Sequence, residues 1–206
     1  MLRIKMGALM IVFLLLGACT KEDTLAKQNT NTTDPTISES ESSLLFMLEE
    51  EKLARDTYLY LDSLYGYLKV FKNISSSEQR HMDFVANLLD SRSISYQILD
   101  QGSFADTSLQ AFYNSFKLKG QLGLAEALHI GATIEDLDIY DLQNFIADSQ
   151  DQALIDLYET LICGSGNHMR AFVSNMEMQG LSYQAQFLSQ AEVDSILAGS
   201  HTHCGP

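Results

Sequence analysis

The sequence predicts an all-α domain: four long helices paired as two hairpins, one long crossover between the pairs, and a short C-terminal helix. Three observations predict it. Apolar residues recur at three- and four-residue spacing through four long stretches. No stretch alternates with period two between turn signals. The connection between the second and third stretches is longer than a turn between neighbouring helices needs.

Residues 44–65 contain no Gly or Pro and set Leu44, Met47, Leu48, Ala54, Tyr58, Leu61 and Tyr65 on one face. This is the first helix, stopped by Gly66. Ser75-Ser76-Ser77-Glu78 is a capping-box pattern, so the second helix is expected from Ser75 to about Arg92, with Met82, Val85, Leu88 and Leu89 inward. Residues 93–120 form the crossover, with a short helix over 108–118. The third helix is expected over 122–147, with Leu124, Leu128, Ile134, Leu142 and Ile146 inward and a kink at Gly131. The fourth is expected over 151–179, on Leu154, Leu157, Tyr158, Leu161, Phe172 and Met176, and is weakest at Gly164-Ser165-Gly166. A capping box at Ser189–Glu192 opens the last helix, and the domain closes near residue 198. Residues 199–206 read as a disordered tail with chance histidines, the alternative being a soft-metal tail of His201, His203 and Cys204. Hairpin, crossover, hairpin is the topology of ferritin-like four-helix bundles.

Ahead of the domain, Arg3 and Lys5 precede an apolar run from Met6 to Leu16, too short for a permanent transmembrane helix and of the length of a signal-peptide core. Leu16-Gly17-Ala18-Cys19 resembles the lipobox of bacterial lipoproteins. Residues 1–18 are therefore expected to be removed and Cys19 to be acylated, anchoring the chain to a lipid bilayer in the bacterial cell envelope, at the outer membrane, its periplasmic face or the cell surface. Residues 19–43 are rich in Thr, Ser, Asn, Asp and Glu and read as a solvated tether.

Loss of Arg3 and Lys5 with the leader takes the formal charge from −14 to −16. So acidic a chain, with no cluster of Lys and Arg, excludes nucleic acid as a partner and suits the attraction of cations. In an oxidising compartment Cys163 and Cys204 are candidates to pair.

Several residues are out of place on the apolar stripes. Glu51 falls among Leu48, Ala54 and Tyr58, and Glu78 and His81 share a face with Met82 and Val85. Glu135 lies on the line of Leu128 and Leu142, with Asp138 one turn on; His168 lies between Leu161 and Phe172. A lone carboxylate in an ordinary core costs several kcal/mol. Glu-x-x-His on a helix is a ligand motif of bundle metal sites, where carboxylate oxygens and imidazole nitrogens together hold cations such as iron, manganese or zinc. Each residue also has a structural reading: Arg55 as a salt-bridge partner of Glu51, Glu78 as the third residue of the Ser75 capping box, His168 as a core histidine bonded to a carbonyl.

Leu48-Glu-Glu-Glu51-Lys-Leu-Ala-Arg55-Asp-Thr-Tyr58, Ser77-Glu78-Gln-Arg-His81-Met-Asp, Ala127-Leu-His-Ile-Gly131-Ala-Thr-Ile-Glu135 and Gly164-Ser-Gly-Asn-His168-Met-Arg-Ala-Phe172 resemble the signature segments of an uncharacterised prokaryotic domain family in the ferritin and rubrerythrin clan. The likeness spans about Leu44 to Leu197. It implies a rubrerythrin-like bundle holding iron at one or two positions, with Glu51, Glu78, His81, Glu135 and His168 as ligands and Arg55 and Tyr58 behind them. It also implies oxidase or peroxidase chemistry by analogy. The chain departs from the clan at Ser165, where a second Glu-x-x-His would place its glutamate; Asp138 or Glu159 would have to substitute. The alternative reading is a non-catalytic helical module whose inward polar groups satisfy one another, with Arg55 inserted between Glu51 and Glu78.

Overall fold

The computed structural model describes residues 38–204. The expected leader, Cys19 and most of the expected tether lie outside these residues. Within them the chain is all-helical, with no strand: α1 (Glu39–Tyr65), α2 (Lys69–Ser91), α3 (Thr107–Gly120), α4 (Leu124–Asp148), α5 (Gln152–Glu177) and α6 (Gln190–Ala198). None of the described helices is long and apolar enough to cross a membrane.

Short turns fold α1 against α2 and α4 against α5, and α1–α4 and α2–α5 contacts join the two pairs. Helix α3 lies in the crossover and packs on α1 and α4, while α6 packs on α5. Two apolar clusters result. One gathers Tyr58, Leu61, Phe71, Phe116, Ile134 and Phe172. The other gathers Leu44, Met47, Met82, Val85, Leu142 and Leu161.

Two helix starts and the state of the tail differ from the sequence reading. Helix α1 begins at Glu39, inside the expected tether, because Ser38 and Glu41 form a capping box. Helix α2 begins at Lys69 rather than Ser75 and has no side-chain cap, since Phe71 and Ile74 already anchor its first turns in the core. Ser75 is thus mid-helix and donates back to the Lys72 carbonyl at 3.0 Å. The polar tail is also held: Asn167 donates to the Thr202 carbonyl at 2.8 Å, and Cys163 and Cys204 form a disulfide.

Neither weak point breaks its helix. Helix α4 is continuous through Gly131, where a Cβ would stand 2.5 Å from the Phe172 ring. Helix α5 is continuous through Gly164, where a Cβ would overlap the His81 imidazole. Both glycines permit close approach of α4 and α2 to α5.

The crossover is pinned from α1. Buried Lys52 donates to Asp56 Oδ2 at 2.6 Å and to the Asp100 and Ser103 carbonyls at 3.0 and 3.1 Å, and lies over the Phe104 ring. Asp56 accepts the Gly102 amide at 2.8 Å, and Glu49 accepts the amides of Ala105 and Asp106, each at 2.7 Å. On α4, Asp136 accepts the Tyr183 hydroxyl and the backbone amides of Gln186, Phe187 and Leu188, fixing the segment before α6. Removing one partner of a buried, bonded charge leaves the other unpaired. Lys52→Met is therefore expected to cost about 3 kcal/mol in chemical denaturation and to speed amide exchange across residues 100–106; a loss within experimental error would refute this role.

Candidate metal centre

Four helices each bring polar side chains to one level between the two apolar clusters. Glu51 comes from α1, Glu78 and His81 from α2, Glu135 and Asp138 from α4, Ser165 and His168 from α5, and all are buried. His81 Nδ1 stands 2.8 Å from Glu78 Oε2 and 3.1 Å from Glu51 Oε2. His168 Nδ1 stands 2.8 Å from Glu78 Oε1 and 3.4 Å from Glu135 Oε2. Glu78 therefore faces both imidazoles, one oxygen to each. The rings stack with centroids 5.2 Å apart.

These distances match neighbouring ligands of one ion: two atoms each bonded at about 2.1 Å and at right angles stand about 3.0 Å apart. Ligand atoms of Glu78, His81 and His168 all lie within 4.8 Å of one another. Several contacts are close yet not hydrogen bonds. Glu78 Oε1 and His168 Nδ1 are 2.8 Å apart but too poorly aligned to bond, and both are left without a partner, as are Glu51 Oε1 and Asp138 Oδ1. Buried native groups are rarely left so. An ion held among Glu78, His81 and His168 would satisfy the first two, so the donor set fits a hard or borderline metal.

The charge balance agrees. Glu50, Glu51, Glu78, Glu135 and Asp138 are each at most 5 % exposed, and only His81 and His168 lie among them to offset their charge. Arg55 does not enter: it donates to Asp56 Oδ1 at 2.8 and 2.9 Å and to Gln79 at 2.6 Å. The inserted guanidinium of the network reading is absent. Glu159 also stays away, exposed on α5, because Tyr158 takes the inward position and the unbroken helix gives no irregularity to turn the next residue in. Ser165 donates to Asp138 Oδ2 at 2.5 Å, so at this level α5 presents a hydroxyl that orients the α4 carboxylate. Tyr58 donates to Glu135 Oε1 at 2.5 Å and fixes that side chain from behind.

The sequence reading passed over Glu50. It lies next to Glu51 in a run of three glutamates that composition marks as a solvated face, yet it is fully buried with both oxygens unpartnered. The run serves three ends: Glu49 caps the crossover, Glu50 faces Asp138 and Asp141, and Glu51 faces His81.

Burial raises Glu51 from 4.5 to about 7 against the opposing pull of His81. Burial, reinforced by Glu78, raises Glu135 to about 7. Burial and the neighbouring Glu51 hold Asp138 well above its ordinary value. For Glu78 burial is outweighed by His168 and His81, and its carboxyl is pulled down. Burial would depress His168, but Glu78 and Glu135 outweigh it and raise the imidazole to about 10. Glu51 and Glu135 bind protons more tightly folded than unfolded, so their contribution is full below about pH 4.5 and is lost as pH rises through about 7. The contribution of His168 is full below 6.5 and lost as pH rises through about 10. Chelator-stripped protein is thus expected to melt at a higher temperature at pH 5.5 than at pH 8; the reverse order in calorimetry would refute the charge balance.

Residues 40–200 match the model of an uncharacterized protein domain, DUF2202. The uncharacterized protein MJ0754 of Methanocaldococcus jannaschii is 40% identical over 168 residues, which cover 81% of this chain and 90% of that protein. The crystal structure of the hypothetical protein MJ0754 superposes with a TM-score of 0.78, covering 87% of this chain and 100% of that one. The chain belongs to the DUF2202 family of uncharacterized domains.

Proposed function

We propose that this chain is a lipid-anchored, ferritin-like metal-binding protein of the bacterial cell envelope, whose four long helices form a one-crossover bundle around a carboxylate–histidine centre that prefers iron. The observation that carries the reading is the set of buried, unpartnered ligand atoms on four helices, with Glu78 presenting one oxygen to each of two imidazoles. Glu51, Glu78 and His81 would hold one position; Glu78, Glu135 and His168 would hold the other. Tyr58 and the Ser165-bonded Asp138 orient this set. Iron bound there supplies electron-transfer chemistry toward dioxygen or peroxide. The packed apolar clusters on either side limit water around the ligands.

The unequal halves have a consequence. With Ser165 in place of a carboxylate on α5, no second glutamate faces both imidazoles, so the two positions are expected to differ in affinity.

Protein purified without chelator and offered Fe(II) anaerobically is expected to retain one to two equivalents by elemental analysis. At a hundredfold excess over Kd its Tm should rise by roughly 5 °C or more. Glu51→Ala and His81→Ala should abolish both effects, and wild-type protein without stoichiometric Fe, Mn or Zn would refute the reading. The anchor is tested separately. Mass spectrometry of the mature chain should begin at an acylated Cys19, and Cys19→Ser should move the protein to the soluble fraction; a Cys19→Ser variant that stays with the membrane would refute the anchor.

A further inference from the structure

The two ends of the bundle differ in charge and in exposed apolar surface. Among the described residues Tyr67, Leu118, Leu122 and Met178 are 70–76 % exposed, whereas every other exposed large apolar side chain is at most 46 % exposed. All four stand at one end. Tyr67 is in the turn from α1 to α2, Leu118 and Leu122 flank the turn from α3 to α4, and Met178 follows the last residue of α5. These turns are joined: Tyr65 donates to the Gly120 carbonyl at 2.7 Å, Gln121 donates to the Tyr60 hydroxyl at 2.6 Å, and Lys117 lies over the Tyr60 ring. Leu68 and Lys69 share a small surface hollow with Ala171 and Asn175, which brings the end of α5 to the same place. This end also carries Lys69, Lys72, Lys117 and Lys119, every lysine of the described residues except buried Lys52. None of the four forms an ion pair among the described residues, whose Lys and Arg pairs use Lys52, Arg55 and Arg92. The acids here are Asp62, Glu126 and Glu177, and Asp62 keeps one oxygen buried. At the opposite end stand Glu39, Glu41, Asp90, Asp148 and Asp151, with Arg92 bonded to Asp151 at 2.7 Å.

A single exposed leucine needs no explanation, but apolar side chains gathered on adjoining turns with unpaired lysines beside them mark an interaction surface. We propose that this end of the bundle is a membrane-docking face: Tyr67, Leu118, Leu122 and Met178 enter the boundary between headgroups and acyl chains of an anionic bilayer, and Lys69, Lys72, Lys117 and Lys119 meet its phosphates. Leucine and methionine supply apolar area, and the tyrosine ring suits a boundary with an apolar and a wet side. Lysine stems lie along apolar surface while their ammonium groups reach the headgroups. None of the four apolar side chains lines the hollow beside them; they project from turns, which fits a deformable lipid surface better than a shaped protein partner. The acidic opposite end is repelled by the same lipids, so the polarity of the bundle selects which end faces them. Covalent length allows this arrangement. Cys19 precedes Ser38 by 19 residues, a chain that reaches up to ~65 Å at ~3.5 Å per residue. Helix α1, with 27 residues, is about 40 Å long, so an anchor at Cys19 lets either end meet the bilayer.

The docking face rests on the lipid anchor of the proposed function, and one experiment reads the two apart. The chain has no Trp, so Leu122→Trp reports on the face, and Ile98→Trp, in the crossover just beyond α2, serves as an exposed control. Protein expressed from the full chain is reconstituted with vesicles of phosphatidylcholine alone or mixed with phosphatidylglycerol. Flotation gives the bound fraction; tryptophan emission and quenching by brominated acyl chains give depth. In phosphatidylglycerol vesicles Leu122→Trp is expected to shift to shorter wavelength and to be quenched, and Ile98→Trp to do neither. Salt at about 1 M, which shortens the screening length to about 3 Å, should reverse most of that shift. Lys69→Gln combined with Lys119→Gln should do the same. Protein that floats with the vesicles while Leu122→Trp keeps the emission of an exposed tryptophan would overturn the docking face and leave the anchor standing. A shift that appears without lipid and grows with protein concentration would also overturn it, making this end an interface between copies of the chain. Protein that does not float with phosphatidylcholine vesicles would overturn the anchor; the face then stands if phosphatidylglycerol vesicles still bring the shift and falls if they do not.

Discussion

Five carboxylates closed into the interior against two imidazoles set the terms for everything around them. Burying ionised groups costs several kcal/mol each after relaxation, and partial pairing does not recover it. The chain does not relieve this charge with its own cations, although Lys52 and Arg55 stand within a turn of Glu51. Both are spent on Asp56. A helix that supplies an ammonium and a guanidinium at this depth, and directs both elsewhere, leaves the interior acids to the two imidazoles and to bound protons.

The packing follows from that level. Close approach of α2 to α5 brings the imidazoles of His81 and His168 face to face, and Gly164 makes room for the first of them. Gly131 does the same for Phe172, whose ring lies 5.0 Å from that of Tyr58, the residue that holds Glu135. Small residue, aromatic ring, phenol and carboxylate thus form one chain of support. Farther out, Glu49, Lys52 and Asp136 supply hydrogen-bond partners to the backbone of the crossover and of the segment before α6.

The residues of the centre were legible because they interrupt apolar stripes: Glu51, Glu78, His81, Glu135 and His168 each occupy a position where an aliphatic side chain is expected. The fold class was legible for the same reason, since helical periodicity survives in every long element. Glu50 was not, being about 100° from the stripe and inside an acidic run that looks solvated. The Lys52–Asp56 pair was hidden in the same way, since i,i+4 opposite charges ordinarily mark a surface. The start of α1 was concealed by its Ser- and Glu-rich composition, and that of α2 by a serine run that imitates a cap. Glu159 misled because Gly164 and Gly166 suggested an irregular helix, whereas α5 is continuous through both.

The Cys163–Cys204 bond closes a covalent ring through the second half of α5, the Asp136-bound segment and α6. A single peptide cut anywhere inside that ring, by a protease acting on the exposed stretch after α5, leaves one molecule rather than two. His168 lies within the ring, five residues from the linked Cys163, and after a cut beyond α5 it stays on the peptide that runs unbroken back through Cys163. The bond therefore keeps the segment beyond such a cut tied to the helix that carries the imidazole.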